Sequence, residues 1–203
     1  MGEKKMKKEY FFEIRRHIFH ACLGIILIIL IGQNVLRPWE LFIILGAGFL
    51  ISVISRKIRI PIIWQLLTTF ERPEQLERFP GKGAVAYFAG ALLAVKLFPK
   101  EVALASIAVL AFGDPISHFV GQNFGRVKNP LSLKKMLEGN FAGAIAGGLA
   151  ASLFVSWRYA LPAALAALML ESIEIKMNDE IVDDNIIIPL AAGASILILR
   201  TIF

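Results

Sequence analysis

The sequence predicts an all-α integral membrane protein of about seven transmembrane helices, N-terminus cytoplasmic and C-terminus outside, with one further helix lying in the interface. Three observations carry this. Hydrophobic residues make up 57% of the 203 and charged residues only 19%, too little charge for the water-facing surface of a soluble domain. The apolar residues arrive in long blocks, as expected when the surrounding solvent is lipid. The Lys and Arg residues gather on one side of those blocks.

The first block, Ile18–Leu36, follows Lys4, Lys5, Lys7, Lys8, Arg15 and Arg16. It is longer than a signal-peptide core and no clean small-x-small site follows it, so it reads as a first span behind a basic cytoplasmic segment, 1–16. Trp39–Ile54, Gly83–Phe98, Val102–Gly121, Phe141–Trp157, Tyr159–Ile173 and Ile186–Phe203 follow as spans two to seven. Several fall short of the roughly 20 residues a straight crossing needs, so thinning of the bilayer or burial in protein must help. Between spans two and three, Ile60–Phe70 is too short to cross. Its Ile62, Ile63, Leu66, Leu67 and Phe70 make one apolar face behind Pro61, the pattern of an interfacial helix. Seven spans use nearly the whole chain, which predicts a single membrane-embedded domain, 1–203. With the N-terminus inside, the inner segments hold 17 of the 22 basic residues, leaving Arg37, Lys96, Lys100, Arg158 and Arg200 outside.

The lone Cys22 excludes an internal disulfide and a cysteine-rich metal site. The net charge of +6 does not point to nucleic acid, because the basic residues flank apolar segments and suit anionic lipid headgroups. No Walker-type Gly-x-x-x-x-Gly-Lys-Ser/Thr, no Gly-x-Gly-x-x-Gly and no His-Glu-x-x-His occurs.

Asp114 is the most informative residue. It lies inside span four, where an ionisable group is costly and faces a polar cavity or a partner. Ser117, His118 and Gly121 share its helix face. Gly113-Asp114-Pro115 reads as a helix stop and restart, with Asp114 as N-cap and Pro115 as the first helical residue. The next inner loop combines Gly125, Arg126, Lys128, Lys134 and Lys135 with Glu138 and Gly139. Two readings fit it equally: a nucleotide triphosphate site with its metal, or a positive loop docked on lipid. Gly139, Gly143 and Gly147 form a stripe that permits close helix contact. The last inner loop is acidic, with Glu171, Glu174, Asp179, Glu180, Asp183 and Asp184 before Asn185. Of these, Asp183-Asp184-Asn185 abuts an apolar span and, with Asp114 and Glu138, would suit a hard cation.

These residues resemble the CTP-dependent polyprenol kinases, the family of dolichol kinase, phytol kinase and yeast-type diacylglycerol kinase. Four motifs carry the likeness, in order and on one membrane side. Glu13-Ile-Arg-Arg-His-Ile-Phe-His20 is similar to Glu-x-Arg-Arg-Lys-x-x-His, with His17 where the family usually has lysine. Gly81-Lys82-Gly83-Ala84, with Tyr87 and Gly90, resembles the Lys-Gly-Ala entry to a span. Gly113-Asp114, Gly121, Phe124-Gly125, Lys134-Lys135-x-x-Glu138-Gly139 and Ala142-Gly143 resemble the block associated with CTP. Asp183-Asp184-Asn185 with Pro189 resembles the opening of the last span.

The resemblance implies transfer of the γ-phosphoryl group of CTP to the hydroxyl of a membrane lipid alcohol, of polyprenol or dolichol type, with Mg²⁺ as cofactor. Catalysis would then fall to Asp114, Glu138 and Lys135. Nucleotide contacts would come from Lys82, Gly113, Gly121, Gly125, Lys134, Lys135 and Gly139, and Mg²⁺ ligands from Asp114, Glu138 and Asp184. Arg16, His20, His118, Asp183 and Asn185 are further candidates. Asp114 fits either a metal ligand or a base for the lipid hydroxyl. A cytidylyltransferase making a CDP-lipid would use the same groups but release pyrophosphate. A small transporter would explain the spans and the buried Asp, but not the Lys-Lys-x-x-Glu-Gly loop.

Overall fold

The computed structural model describes residues 2–203 except 133–134, 174 and 178–179. Each expected apolar block is helical. In chain order the helices are α1 (Gly2–Gly32), α2 (Pro38–Ser55), α3 (Pro61–Phe70), α4 (Pro73–Arg78), α5 (Lys82–Leu97), α6 (Lys100–Ala108), α7 (Asp114–Phe124), α8 (Leu137–Ala151), α9 (Trp157–Glu171) and α10 (Asp184–Ile202). A π-helical turn, Val109–Gly113, joins α6 to α7 without interruption. Lys176–Met177 (β1) and Glu180–Ile181 (β2) pair as a two-residue antiparallel ribbon between α9 and α10.

Four stretches are long and apolar enough to cross a membrane: Tyr10–Gly32, Pro38–Ser55, Lys100–Phe124 and Asp184–Ile202. Helices α5, α8 and α9, of 16, 15 and 15 residues, are shorter. Proline opens α2, α3 and α4, where a helix loses no hydrogen bond by lacking the N–H. Helix α1 ends where Asn34 takes a left-handed backbone, φ 59°, and Lys100 caps it by donating to Gly32 O at 2.7 Å and Asn34 Oδ1 at 2.8 Å. That contact accounts for one of the few basic residues on the outer side of the expected topology.

The rod α6–π turn–α7 is the centre of the molecule. Its apolar window is 78% buried, against 17% for α1 and for α2. Val102 to Ala111 are buried without exception, so this part is enclosed all round. By contrast, Ile25, Ile26 and Ile29 of α1 and Phe42, Ile43, Phe49 and Leu50 of α2 are exposed, as lipid-facing residues are.

The expected break at Gly113-Asp114-Pro115 does not occur. Gly113 (φ −66°, ψ −52°) and Asp114 (φ −61°, ψ −52°) are both right-handed helical, so Asp114 caps nothing. In an unbroken α-helix the Pro115 ring would press on the carbonyl four residues back. The wider π turn just upstream takes up that conflict and leaves the rod continuous.

Helix α8 lies against the rod through its glycines. A Cβ on Gly143 would come within 2.5 Å of Gly113 O, and one on Gly139 within 2.4 Å of Ser117 O. Neither position has room for a side chain, so the stripe sets the spacing of the two helices. A similar approach joins α5 to α10, where a Cβ on Gly90 would meet Asn185 O at 2.0 Å. Pro189 has no N–H to donate to that carbonyl in the α-helical register.

Candidate functional site

Side chains from three helices converge beside the rod. Asp114 and His118 come from α7, Glu171 from the last residue of α9 and Asp184 from the first of α10, with one ligand atom of each within 4.8 Å of all the others. Their positions follow from local structure. Asp114 and His118 are four apart on one helix, and His118 Nε2 lies 3.4 Å from Asp114 Oδ1. Asp183 caps α10, its carboxylate accepting from the Asn185 N–H at 3.1 Å and from Asn185 Nδ2 at 2.7 Å, which sets Asp184 in the first turn.

Lys135 reaches the cluster from the loop between α7 and α8. It pairs with Glu171 and stands 3.8 Å from Asp184 Oδ2. The loop is folded back on itself: Asn129 N donates to Lys135 O at 2.9 Å and Leu137 N to Val127 O at 2.9 Å. Glu138 pins its start, accepting from the N–H groups of Arg126 and Val127 at 3.0 Å each. Its carboxyl is held below the usual glutamate range, first by its own backbone N–H and then by those two. Beneath the loop, buried Asn129 and Asn140 both donate to Ser172 Oγ, at 2.9 and 2.8 Å, which fixes the end of α9 and hence Glu171.

Helix α1 closes the other side. His20 Nε2 is 3.7 Å from Asp114 Oδ2, and its ring meets Tyr87 edge-on with centroids 4.6 Å apart. His17 stacks on His118 at 5.2 Å. Glu13 ties this face to the segment after α3 through a two-pronged bond from Arg72, at 3.0 and 3.3 Å, and also holds Arg16 at 3.0 Å.

In front of these groups opens a pocket of about 600 Å³, within the range that encloses small-molecule ligands. Arg16, His20, Lys82, Asp114, Asp184 and Asn185 line it together with apolar residues of α1 and α3. Buried Glu71 accepts from the Gly81 N–H at 2.7 Å, and Gly81 takes φ +84°, so this turn delivers Lys82 to the pocket. Burial raises the Glu71 carboxyl, opposed by the Gly81 and Gly83 N–H groups. Burial likewise raises Asp183, against its bonds from Asn185.

Of the residues singled out in the sequence, Asp114, His118, Asp184 and Lys135 thus come together, and Arg16, His20, Lys82, Asp183 and Asn185 line the same pocket. Glu138 turns to the loop backbone instead. Gly121 and Gly139 meet across the α7–α8 contact, Gly113 of the π turn lies against Gly143, and Gly125 packs on Met136. Lys134 lies outside the described residues. Glu171 is the residue that sequence reasoning passed over, grouping it with the acidic loop. Its signal was periodicity: Ala160, Ala163, Ala164, Ala167, Leu168 and Glu171 are all buried on one face of α9, and an acid ends that apolar stripe.

Fold and site together describe a helical membrane protein with a carboxylate cluster beside a pocket of mixed polar and apolar lining. The chain is similar to proteins named as phytol kinases and as CTP-dependent diacylglycerol kinases. A probable chloroplastic phytol kinase of Zea mays is 31% identical over 134 residues, 59% of this chain and 43% of that protein. The CTP-dependent diacylglycerol kinase 1 of Eremothecium gossypii is 25% identical over 156 residues, 74% of this chain and 48% of that one. Its counterpart in Schizosaccharomyces pombe is 24% identical over 139 residues, covering 66% and 63%. The chain spans about half the length of the curated relatives it matches. No family model matches it, and no solved structure does.

Proposed function

We propose that this protein is a CTP-dependent lipid alcohol kinase, moving the γ-phosphoryl group of CTP to a membrane alcohol of polyprenol type. The observation that carries the reading is the pocket itself. Apolar residues of α1 and α3 line it together with Arg16, Lys82, Asp114 and Asp184; Glu171 clusters with those two aspartates, and Lys135 stands 3.8 Å from Asp184. The names of the relatives support CTP as donor and a lipid hydroxyl as acceptor.

Three carboxylates suit a hard cation such as Mg²⁺, and Glu171 Oε2 is buried with no hydrogen-bond partner among the described residues. His118, a nitrogen donor, suits it less and instead orients Asp114. Bound between Glu171 and Asp184, Mg²⁺ would neutralise charge on the phosphate oxygens and leave Asp114 to the lipid hydroxyl. Lys135 and Lys82 would take the phosphate chain, with Lys135 exchanging Glu171 for phosphate. Glu138 holds the loop that presents Lys135. Asp114 orients the lipid hydroxyl and accepts its proton as the oxygen attacks phosphorus; the bond from phosphorus to the β-phosphate oxygen breaks, and CDP leaves. The topology that serves this chemistry has seven crossings, with α5, α8 and α9 crossing in spite of their length. Helix α3 lies in the interface, and the pocket faces the cytoplasm. The 17 of 22 basic residues on that side support it.

The test is purified protein with γ-labelled CTP or ATP and a panel of lipid alcohols. Label in the lipid, release of CDP and preference for CTP are expected. Release of pyrophosphate would make the protein a cytidylyltransferase. Turnover with no alcohol in the panel would refute the kinase reading.

A further inference from the structure

The chemistry above uses only the polar lining of the pocket. The lining also includes Phe19 and Leu23 of α1 and Ile63, Leu66, Leu67 and Phe70 of α3. This wall stands at the lipid-facing boundary of the molecule, since Ile18, Phe19, Ile62 and Leu66 on the same two helices are exposed. The rings of Phe19 and Phe70 stack with centroids 4.4 Å apart and planes 20° apart, joining the two walls. Phe19 is followed by His20, whose imidazole meets Asp114, and Phe70 by Glu71, which accepts from Gly81, so on both helices the aromatic pair is one residue from the polar contacts.

Helix α3 is fixed at its C-terminal end. Arg15 lies over the Phe70 ring at 5.9 Å, Glu71 accepts from Gly81 and Arg72 is bonded to Glu13. The spacing of α1 and α3 is therefore set by contacts that include polar groups of the pocket. A hydrocarbon chain attached to a hydroxyl at Asp114 has this apolar lining to follow.

We infer that the hydrocarbon chain of the acceptor lies between α1 and α3, and that the Phe19–Phe70 stack limits the slot to a single slender chain. The inference rests on the kinase reading for the identity of the amphiphile. It adds where the tail goes and which residues choose among alcohols. A single-chain isoprenoid alcohol passes beside the aromatic pair. Diacylglycerol, with two chains diverging close to its hydroxyl, requires the pair to part.

Two arms test it. The first needs no turnover: a long-chain alcohol with a photoactivatable diazirine mid-chain is irradiated with the full-length protein, and the adducts are mapped by mass spectrometry. Adducts within 16–23 and 61–70, displaced by unlabelled alcohol, are expected; adducts confined to α2, α8 or α9 would overturn the slot. The second arm compares kcat/KM for diacylglycerol and for a single-chain isoprenoid alcohol in the wild type and in Phe70→Ala. The ratio should shift towards diacylglycerol by about tenfold, the scale on which a hydrophobic pocket discriminates shape. An unchanged ratio would overturn the aromatic limit. Phe70→Leu, which keeps an apolar side chain, replaces the alanine variant should that one not fold. A wild type that phosphorylates no alcohol would remove the kinase reading, and the cross-link map would still decide the slot.

Discussion

Replacing Asp114 with asparagine should cost activity far more than stability. The residue is 7% exposed, sits in an unbroken helix and has no capping duty, and its Oδ1 has no hydrogen-bond partner among the described residues. Burying its charge costs free energy, and the His118 and His20 nitrogens 3.4 and 3.7 Å away offset that cost. The neutral amide has nearly the same size, so the melting midpoint in detergent should move little. The reaction should respond otherwise. One unit charge about 4 Å from a cationic centre, at an effective dielectric constant of about 20, contributes roughly 4 kcal/mol. Each 1.36 kcal/mol is a factor of ten in rate, so full loss would approach about a thousandfold. An asparagine oxygen recovers part of that, which leaves a fall in kcat of at least about a hundredfold. The assay is CDP release from CTP with a saturating lipid alcohol, on protein whose elution profile matches the wild type. A folded variant within threefold of wild-type kcat would refute the role given to Asp114. A collapse of the melting midpoint would show that the carboxylate holds the fold.

Three further outcomes are expected. Gly143→Ala should cost about 1–3 kcal/mol, seen as a lower melting midpoint, because its Cβ would meet Gly113 O at 2.5 Å and α7 and α8 would have to part; Gly46→Ala, with nothing within 4 Å of its Cβ, should cost nothing. The Glu138 carboxyl is lowered in the folded protein, so its contribution is present at neutral pH and lost as pH falls through that lowered value. The difference in melting midpoint between wild type and Glu138→Gln should accordingly be constant near pH 7 and shrink steadily as pH falls below the ordinary glutamate value; a difference undiminished in acid would refute it. Finally, Lys128→Cys on a Cys22→Ala background should react with an impermeant thiol reagent only after cells are opened, and labelling of intact cells would invert the topology.

The sequence placed the helices well because apolar blocks record burial in lipid or protein, which is what ends them. It placed the start of α1 late, since the charged residues from Gly2 onward are as helical as those in the span, and hydropathy measures crossing rather than helicity. The Asp114–His118 pair was legible from its spacing alone. The helix break was not, because local chemistry at Gly113-Asp114-Pro115 favours a stop while packing against α8 and α9 holds the rod straight; only tertiary contact decides between them. Glu138 shows another limit. A carboxylate beside a basic loop reads alike whether it meets a metal ion or backbone N–H groups, and here its partners are the N–H groups of Arg126 and Val127.

The π turn at Val109–Gly113 has a consequence for register. A turn closed by bonds to the fifth residue holds one residue more than the α-helix allows, so everything after it is rotated by about 100° relative to a regular continuation. Ahead of the turn the rod is buried on every side from Val102 onward; behind it, Asp114, Ser117 and His118 bring polar groups round to α1 and α8. A rod shortened by one residue within 109–113 would keep its apolar character and its Asp-Pro dipeptide. It would also swing Asp114 away from His20 and turn Ser117 off the glycines of α8. Phase rather than residue identity is what this segment supplies, and a single deletion there would separate the two.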